Sequence, residues 1–348
     1  MSEEHRDATP GRSTDQPTRV PDVLGGSWTA ETIPLADDRE GEVVATLVHH
    51  PAPEHTGRAV LHVHGFADYF FHTEFAAWWL ARGYDFYALD LRKYGRSLRP
   101  HQTPNHVDDL GEHDEELDAA WQRIVERDGH RQVVGSAHST GGLTLPLWLD
   151  DRRPPELAGL VLNSPWLDLQ GHPLLRTVGT VVIDRLGRRQ PMRVIPRDVS
   201  GVYGRTLHRD HEGEWDFHLP WKPIESFLVH AGWLAAVRRG HARVHRGLGL
   251  SVPTLVLSSD RSSLTTEVDD DARSSDIVLD VEQIRRWSTK ISSHVTSIAV
   301  PGALHDVVLS RPEVRAEAYR HLAVWCDGVL AATLGASPVR SDGGLGGA

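Results

Sequence analysis

The sequence predicts an α/β fold, a mostly parallel, doubly wound sheet interrupted by one inserted cap. Short apolar, β-branched runs alternate with amphipathic stretches of helical length, and strands alternating with helices imply parallel βαβ units. The alternation stops after Pro165 and resumes at VPTLVLSS (252–259), as it would around an insertion. The 348 residues suffice for one large domain with an insertion, or for two ordinary domains.

WTAETIPL and EVVATLVHH have no helix between them and read as an antiparallel hairpin at the sheet's edge. RAVLHVHGF (58–66) is an apolar strand ending in a glycine turn. Phe75 to Ala81 is helical, and YDFYALDLR (84–92) is the next strand. Glu115 to Val125 sets Leu117, Trp121 and Ile124 on one helix face. VVGSA (133–137), a helix from Thr140 to Leu149 and the strand LAGLVLNSP (157–165) follow. Residues 166–247 mix helices with loops and hold Trp166, Trp215, Trp221 and Trp233, which fit either an apolar pocket or the cap's own core. Beyond VPTLVLSS come a helix from Asp280 to Trp287, the strand HVTSIAV (294–300) and a helix from Pro312 to Thr333. The expected organisation is a disordered tail over 1–22, a core over 23–165 and 248–334, the cap over 166–247, and a second tail over 335–348. Both tails are rich in Gly, Pro, Ser and charge.

A net charge of −11 argues against a nucleic-acid binder, which needs a basic face. No apolar run has signal-peptide character or the length to span a bilayer. Cys326 is the only cysteine, so no intrachain disulfide forms and a reducing compartment is compatible. A cytoplasmic protein without stable membrane insertion is expected. Twenty-two histidines raise the question of a metal. His62 and His64 would share a strand face, and His208, His211 and His218 lie in a charged loop, but none shows a recognised ligand spacing. Neither a metal nor a cofactor is expected, and nothing in the chain sets an oligomeric state.

AHSTGG (137–142) lies where a strand gives way to a helix. A serine nucleophile needs a base within hydrogen-bond reach, a group to orient that base, and donors for the oxyanion. In an open parallel sheet such groups gather beyond the carboxyl ends of the strands. Ser139 stands at such an end, and Gly141 and Gly142 permit the close helix–strand approach of a tight elbow. Ala137 replaces the first glycine of G-x-S-x-G, and an ordinary glycine-containing loop would also fit these residues. HGFADY (64–69) follows another strand, where Gly65 would turn the chain so that the Phe66 N–H, paired with the Thr140 N–H, faces the oxyanion. His305, in PGALHDVV after the last strand, is the candidate base. Asp260, directly after its strand, and Asp276, before a helix start, both qualify as the acid. Asp269, Asp270 and Asp271 read as solvated surface.

HVHGFADY, DLRKYGRS (90–97), SAHSTGG and PGALHD together resemble the α/β-hydrolase superfamily. The nearest branch is the capped one of monoacylglycerol lipases, lysophospholipases and serine aminopeptidase-like hydrolases. The resemblance covers residues 40–165 and 250–325, in the order Ser, Asp, His. It implies Ser139 as nucleophile, His305 as base, and the Phe66 and Thr140 amides as oxyanion hole. Its A-D-x-x-V-x-P-E frame fits Asp276 to Glu282 better than Asp260, so Asp276 is the expected acid and 261–275 an extra loop. Ala137 and Thr140 depart from the family's usual Gly and Met, and the cap shows no resemblance. The expected activity is hydrolysis of a small carboxylic ester, lipid-like or otherwise, through an acyl-enzyme. A peptidase or amidase would use the same three residues. A non-catalytic binding protein on this fold would be expected to lose one of them.

Overall fold

The computed structural model describes residues 19–170, 182–196 and 200–335. Most of both expected tails, with 171–181 and 197–199 of the expected cap, lies outside them. Nine strands form one sheet in the order β1-β2-β3-β5-β4-β6-β7-β8-β9. β2 (Thr29–Pro34) and β3 (Val44–His50) are the expected hairpin, and β3 also pairs antiparallel with β5 (Tyr84–Asp90). β4 (Arg58–Val63), β5, β6 (Gln132–His138), β7 (Leu157–Asn163), β8 (Thr254–Ser259) and β9 (Val295–Val300) are parallel.

The first tail is shorter than expected. β1 (Val20–Pro21) pairs with Thr29 and Ala30, so the sheet edge lies one strand beyond the hairpin. Asp22 is buried there in an ion pair with Arg96, 2.7 Å away.

The strands read as continuous apolar runs because both faces are covered. In β4, Leu61 and Val63 enter one core and Val60 the other; in β5, Tyr87 and Leu89 face one and Phe86 and Ala88 the other. Helices α1 (Thr73–Leu80), α2 (Asp114–Gln122) and α3 (Gly141–Arg152) connect the strands, and α2 runs on into a π turn over Arg123–Arg127. Chain order departs from spatial order around β4: β5 flanks it on one side and β6 on the other. That reversal opens a crevice beyond the carboxyl ends of β4 and β6, the place where such sheets hold ligands.

Between β7 and β8 lie α4 (Val202–Leu207) and α5 (Ala231–Arg246). The apolar residues here build no separate core among the described residues. Trp233, Val237 and Val244 of α5 join the sheet core on the α3 side. Leu207 and Phe217 pack with Tyr69, Phe71, Leu304 and Leu309 of the strand-end loops. After β8 come α6 (Val281–Ser288) and α7 (Pro312–Trp325), and α7 runs on through a π turn over Cys326–Leu330 to Thr333, as expected. No described helix is long and apolar enough to cross a membrane.

Candidate active site

Ser139 follows β6 directly and adopts φ of +52°. For a residue with a Cβ this left-handed conformation costs on the order of 1–3 kcal/mol, and surrounding contacts must hold it. They do: the Ser139 N–H donates to the Asn163 carbonyl at 3.0 Å, and its carbonyl accepts from Gly142 and Trp166 at 3.0 and 2.9 Å. The following helix starts so close to β4 that a Cβ on Gly141 would lie 2.4 Å from the His64 carbonyl oxygen, and one on Gly142 2.7 Å from Pro165. Ala137 is fully buried between Val63 and Leu162. A methyl group at that position is therefore compatible with the strained serine.

His305 reaches back from the loop after β9. Its Nε2 lies 3.0 Å from Ser139 Oγ, and its Nδ1 2.9 Å from Asp276 Oδ2. Asp276 is fully buried, and its Oδ1 accepts the Val278 and Leu279 N–H groups at 2.8 and 2.7 Å. These two amide donors fix the orientation of the carboxylate, leaving Oδ2 for His305. Asp260 lies apart from this chain of hydrogen bonds. Its carboxylate accepts the Gly302 N–H at 3.1 Å and so pins the turn leading to His305.

Phe66 and Thr140 border the same cavity as Ser139 and His305. Thr140 sits at the N-terminus of α3, where first-turn N–H groups have no intrahelical acceptor. Gly65 does not take the positive φ that demands glycine. Its value is closeness, because a Cβ would stand 3.0 Å from the Ser139 Cβ. The cavity measures about 690 Å³ and is walled by Phe66, Trp166, Ile195, Val229, Trp233 and Leu279 among others. Of the four tryptophans in 166–247, then, Trp166 and Trp233 line the cavity. Trp215 and Trp221 pack in the apolar cluster of the strand-end loops.

A buried polar network beside the serine escaped the sequence reading. Lys222 donates to Asp68 Oδ1 at 2.7 Å, and both line the cavity. Burial, the largest single effect, would raise the Asp68 pKa, but the Lys222 charge and hydrogen bond together with the nearby His138 and His64 outweigh it and hold the carboxyl well below its usual range. Asn163 donates to Asp306 Oδ1 at 2.6 Å, while the Asp306 N–H donates to the Tyr203 hydroxyl at 3.1 Å. The His138 ring packs 4.8 Å from that of His305, and burial, with help from the nearby His305, pushes its pKa down to about 4. Asp68, His138 and Asp306 sit inside the quoted motifs, but nothing local ties them to Lys222 or Tyr203. Their ligand atoms lie within 4.8 Å of one another, yet the Lys222 ammonium already supplies positive charge there.

The other described histidines that the sequence singled out lie elsewhere. His62 hydrogen-bonds Ser136 Oγ at 3.1 Å inside the core, and His64 accepts the Leu91 N–H at 3.1 Å. His208 is buried against Phe217, whereas His211 is exposed.

The sequence profile of a hydrolase family described as serine aminopeptidase, S33, matches residues 54–312. No curated protein matches the chain significantly. Among solved structures, a soluble variant of monoglyceride lipase from Saccharomyces cerevisiae is similar at 15% identity and a TM-score of 0.62, over 92% of this chain and 98% of that one. The monoacylglycerol lipase of Paleococcus ferrophilus is similar at 20% identity and 0.60, over 82% and 98%. A carboxyl esterase from Bacillus coagulans is similar at 13% identity and 0.59, over 86% and 99%. At these identities the structures establish the shared fold, and the match of the family profile goes further: the chain belongs to the serine aminopeptidase (S33) family of α/β-hydrolases.

Proposed function

We propose that the protein is a serine hydrolase that cleaves a small carboxylic ester with a substantial apolar portion, through an acyl-enzyme. The observation that carries this reading is the Ser139–His305–Asp276 chain, with contacts of 3.0 and 2.9 Å, at the edge of an aromatic-walled cavity. His305 takes the Ser139 proton as Oγ attacks the carbonyl carbon. Asp276 holds the imidazole with Nε2 toward the serine and stabilises the cation that forms. The Phe66 and Thr140 amides stabilise the oxyanion. His305 then protonates the departing alcohol and activates water for deacylation. The described residues of 166–247 act as a cap that walls the cavity.

The family description also invites an aminopeptidase reading. A substrate amine would need a carboxylate to receive it; of the two on the cavity wall, Asp68 is buried and already paired with Lys222 at 2.7 Å, and Glu225 is exposed to solvent. That pairing favours the ester. A fluorophosphonate probe should label the protein at Ser139. Hydrolysis of p-nitrophenyl esters should exceed that of aminoacyl p-nitroanilides and vanish in Ser139→Ala. Undiminished turnover by Ser139→Ala would sink the proposal, and faster cleavage of the anilides would favour the peptidase.

A further inference from the structure

Ser139 and His305 come to the site from strands that are not neighbours. β7 and β8 stand between β6 and β9 in the sheet, which sets the two strand ends about 14 Å apart. The loop after β9 must lean back across that gap to bring His305 Nε2 within 3.0 Å of Ser139 Oγ. A misplacement of about 1 Å between reacting groups can cost about 100-fold in rate, so the lean needs a support.

Asn163, the last residue of β7, stands in the gap and is bonded to both sides. Toward β6 it uses its backbone carbonyl, which accepts the Ser139 N–H at 3.0 Å and the His138 Nδ1–H at 3.2 Å. The first bond helps to hold the serine at its left-handed φ. The second sets the ring that packs 4.8 Å from that of His305.

Toward β9 the Asn163 side chain takes over. Its Oδ1 accepts the Val307 N–H at 3.0 Å, and its Nδ2 donates to Asp306 Oδ1 at 2.6 Å. Asp306 and Val307 directly follow His305 in the chain. The orientation of the amide follows from its partners, since a backbone N–H needs an oxygen and a carboxylate needs a donor. Asn163 and Asp306 are both buried, where hydrogen bonds are strengthened by the low local dielectric. Asp306 Oδ1 also accepts the Val308 N–H at 3.2 Å and caps the short 3₁₀ turn Val307–Leu309, so the turn is held as a unit.

We propose that Asn163 is a positioning residue that sets the distance between nucleophile and base. One carbonyl fixes the serine elbow and one carboxamide fixes the loop of the histidine, and neither touches a reacting atom. Nothing in LAGLVLNSP marks this role, because the partners lie 25 and 143 residues away.

The test replaces Asn163 by leucine, which keeps the volume and supplies neither side-chain bond. The backbone carbonyl remains, so the pairing of β6 with β7 should survive. Crystal structures of wild type and variant are compared, together with steady-state hydrolysis of a p-nitrophenyl ester. The Ser139 Oγ–His305 Nε2 contact should lengthen by about 1 Å or more, with kcat reduced about 100-fold. KM should stay within about threefold of wild type, because the cavity walls are unchanged. Asn163→Ala, which removes the same two bonds without adding an apolar branch, replaces the leucine variant if that one does not fold. The positioning role is overturned if the contact stays at 3.0 Å, if it lengthens while kcat holds, or if the loss lies in KM alone. The kinetic arm rests on the serine-hydrolase reading. A wild-type chain that turns over no ester overturns that reading instead, and the contact distance in the variant still decides the role of Asn163.

Discussion

Replacing Asp276 by asparagine changes almost no volume but reverses one hydrogen bond. In the wild type, Asp276 Oδ1 accepts the Val278 and Leu279 N–H groups, and Oδ2 accepts from His305 Nδ1 at 2.9 Å. An asparagine here has two orientations. Turning its NH₂ toward the two backbone N–H groups would leave two buried donors unsatisfied, at about 1–3 kcal/mol each. Its carbonyl oxygen therefore stays on the amides, and its NH₂ faces His305. The imidazole must then accept at Nδ1 and carry its proton on Nε2, the nitrogen 3.0 Å from Ser139 Oγ. A protonated Nε2 cannot take the serine proton. The expected loss in kcat is about 10⁴-fold, roughly 5.4 kcal/mol of transition-state stabilisation. Asp260→Asn keeps an oxygen for the Gly302 N–H and should stay within a few-fold of wild type. Steady-state hydrolysis of a p-nitrophenyl ester at pH 7.5, with thermal melts to verify folding, separates the two. If folded Asp276→Asn retains a tenth of the activity, or Asp260→Asn loses a hundredfold, the assignment of the acid is wrong.

Two more predictions concern stability. Lys222→Met strands the buried Asp68 carboxylate and should cost about 3–5 kcal/mol in denaturant melts; adding Asp68→Asn should recover most of that, and no recovery would mean that Lys222 acts through packing. The buried His138 and His241 have pKa values pushed down to about 4 and about 3, chiefly by burial, so between these values and the ordinary 6.5 the unfolded chain binds the extra protons. Stability is then full above about pH 6.5 and falls with acid by up to about 1.4 kcal/mol per pH unit for each histidine; a flat profile from pH 6.5 to 5 would refute the two depressed values.

The strands were legible because a parallel sheet covered on both faces writes its core into the sequence as uninterrupted apolar runs. VVGSA and TLVLSS could scarcely be anything else. β1 was not, since two residues held by Thr29 and Ala30 carry no periodicity. The sequence also left open whether the tryptophans of 166–247 line a pocket or pack in a core, and α5 places Trp233 and Val237 against the sheet core. A helix's apolar stripe shows that something is covered without naming its partner. At the site, Ser139 and His305 stood out by position, each just beyond a strand. Asp276 needed the resemblance as well, since Asp260 satisfied the same local rule.

What stayed hidden was pairing across distance. Lys222 is 154 residues from Asp68, and no local signal matches a lone lysine to an aspartate so far away. Tyr203 meets the Asp306 N–H across a separation of 103 residues. Both contacts join the 166–247 segment to loops flanking the reacting groups: Asp68 lies two residues beyond Phe66, and Asp306 is next to His305. The segment is thus fastened where a shift of the cap would be felt first, at the proposed oxyanion hole and at the base. Apolar packing alone could hold it over the cavity, but such contacts are non-directional and tolerate sliding. A buried ion pair and a hydrogen bond to backbone fix angle and register as well, and that accounts for polar groups in a wall otherwise built from aromatic and aliphatic side chains.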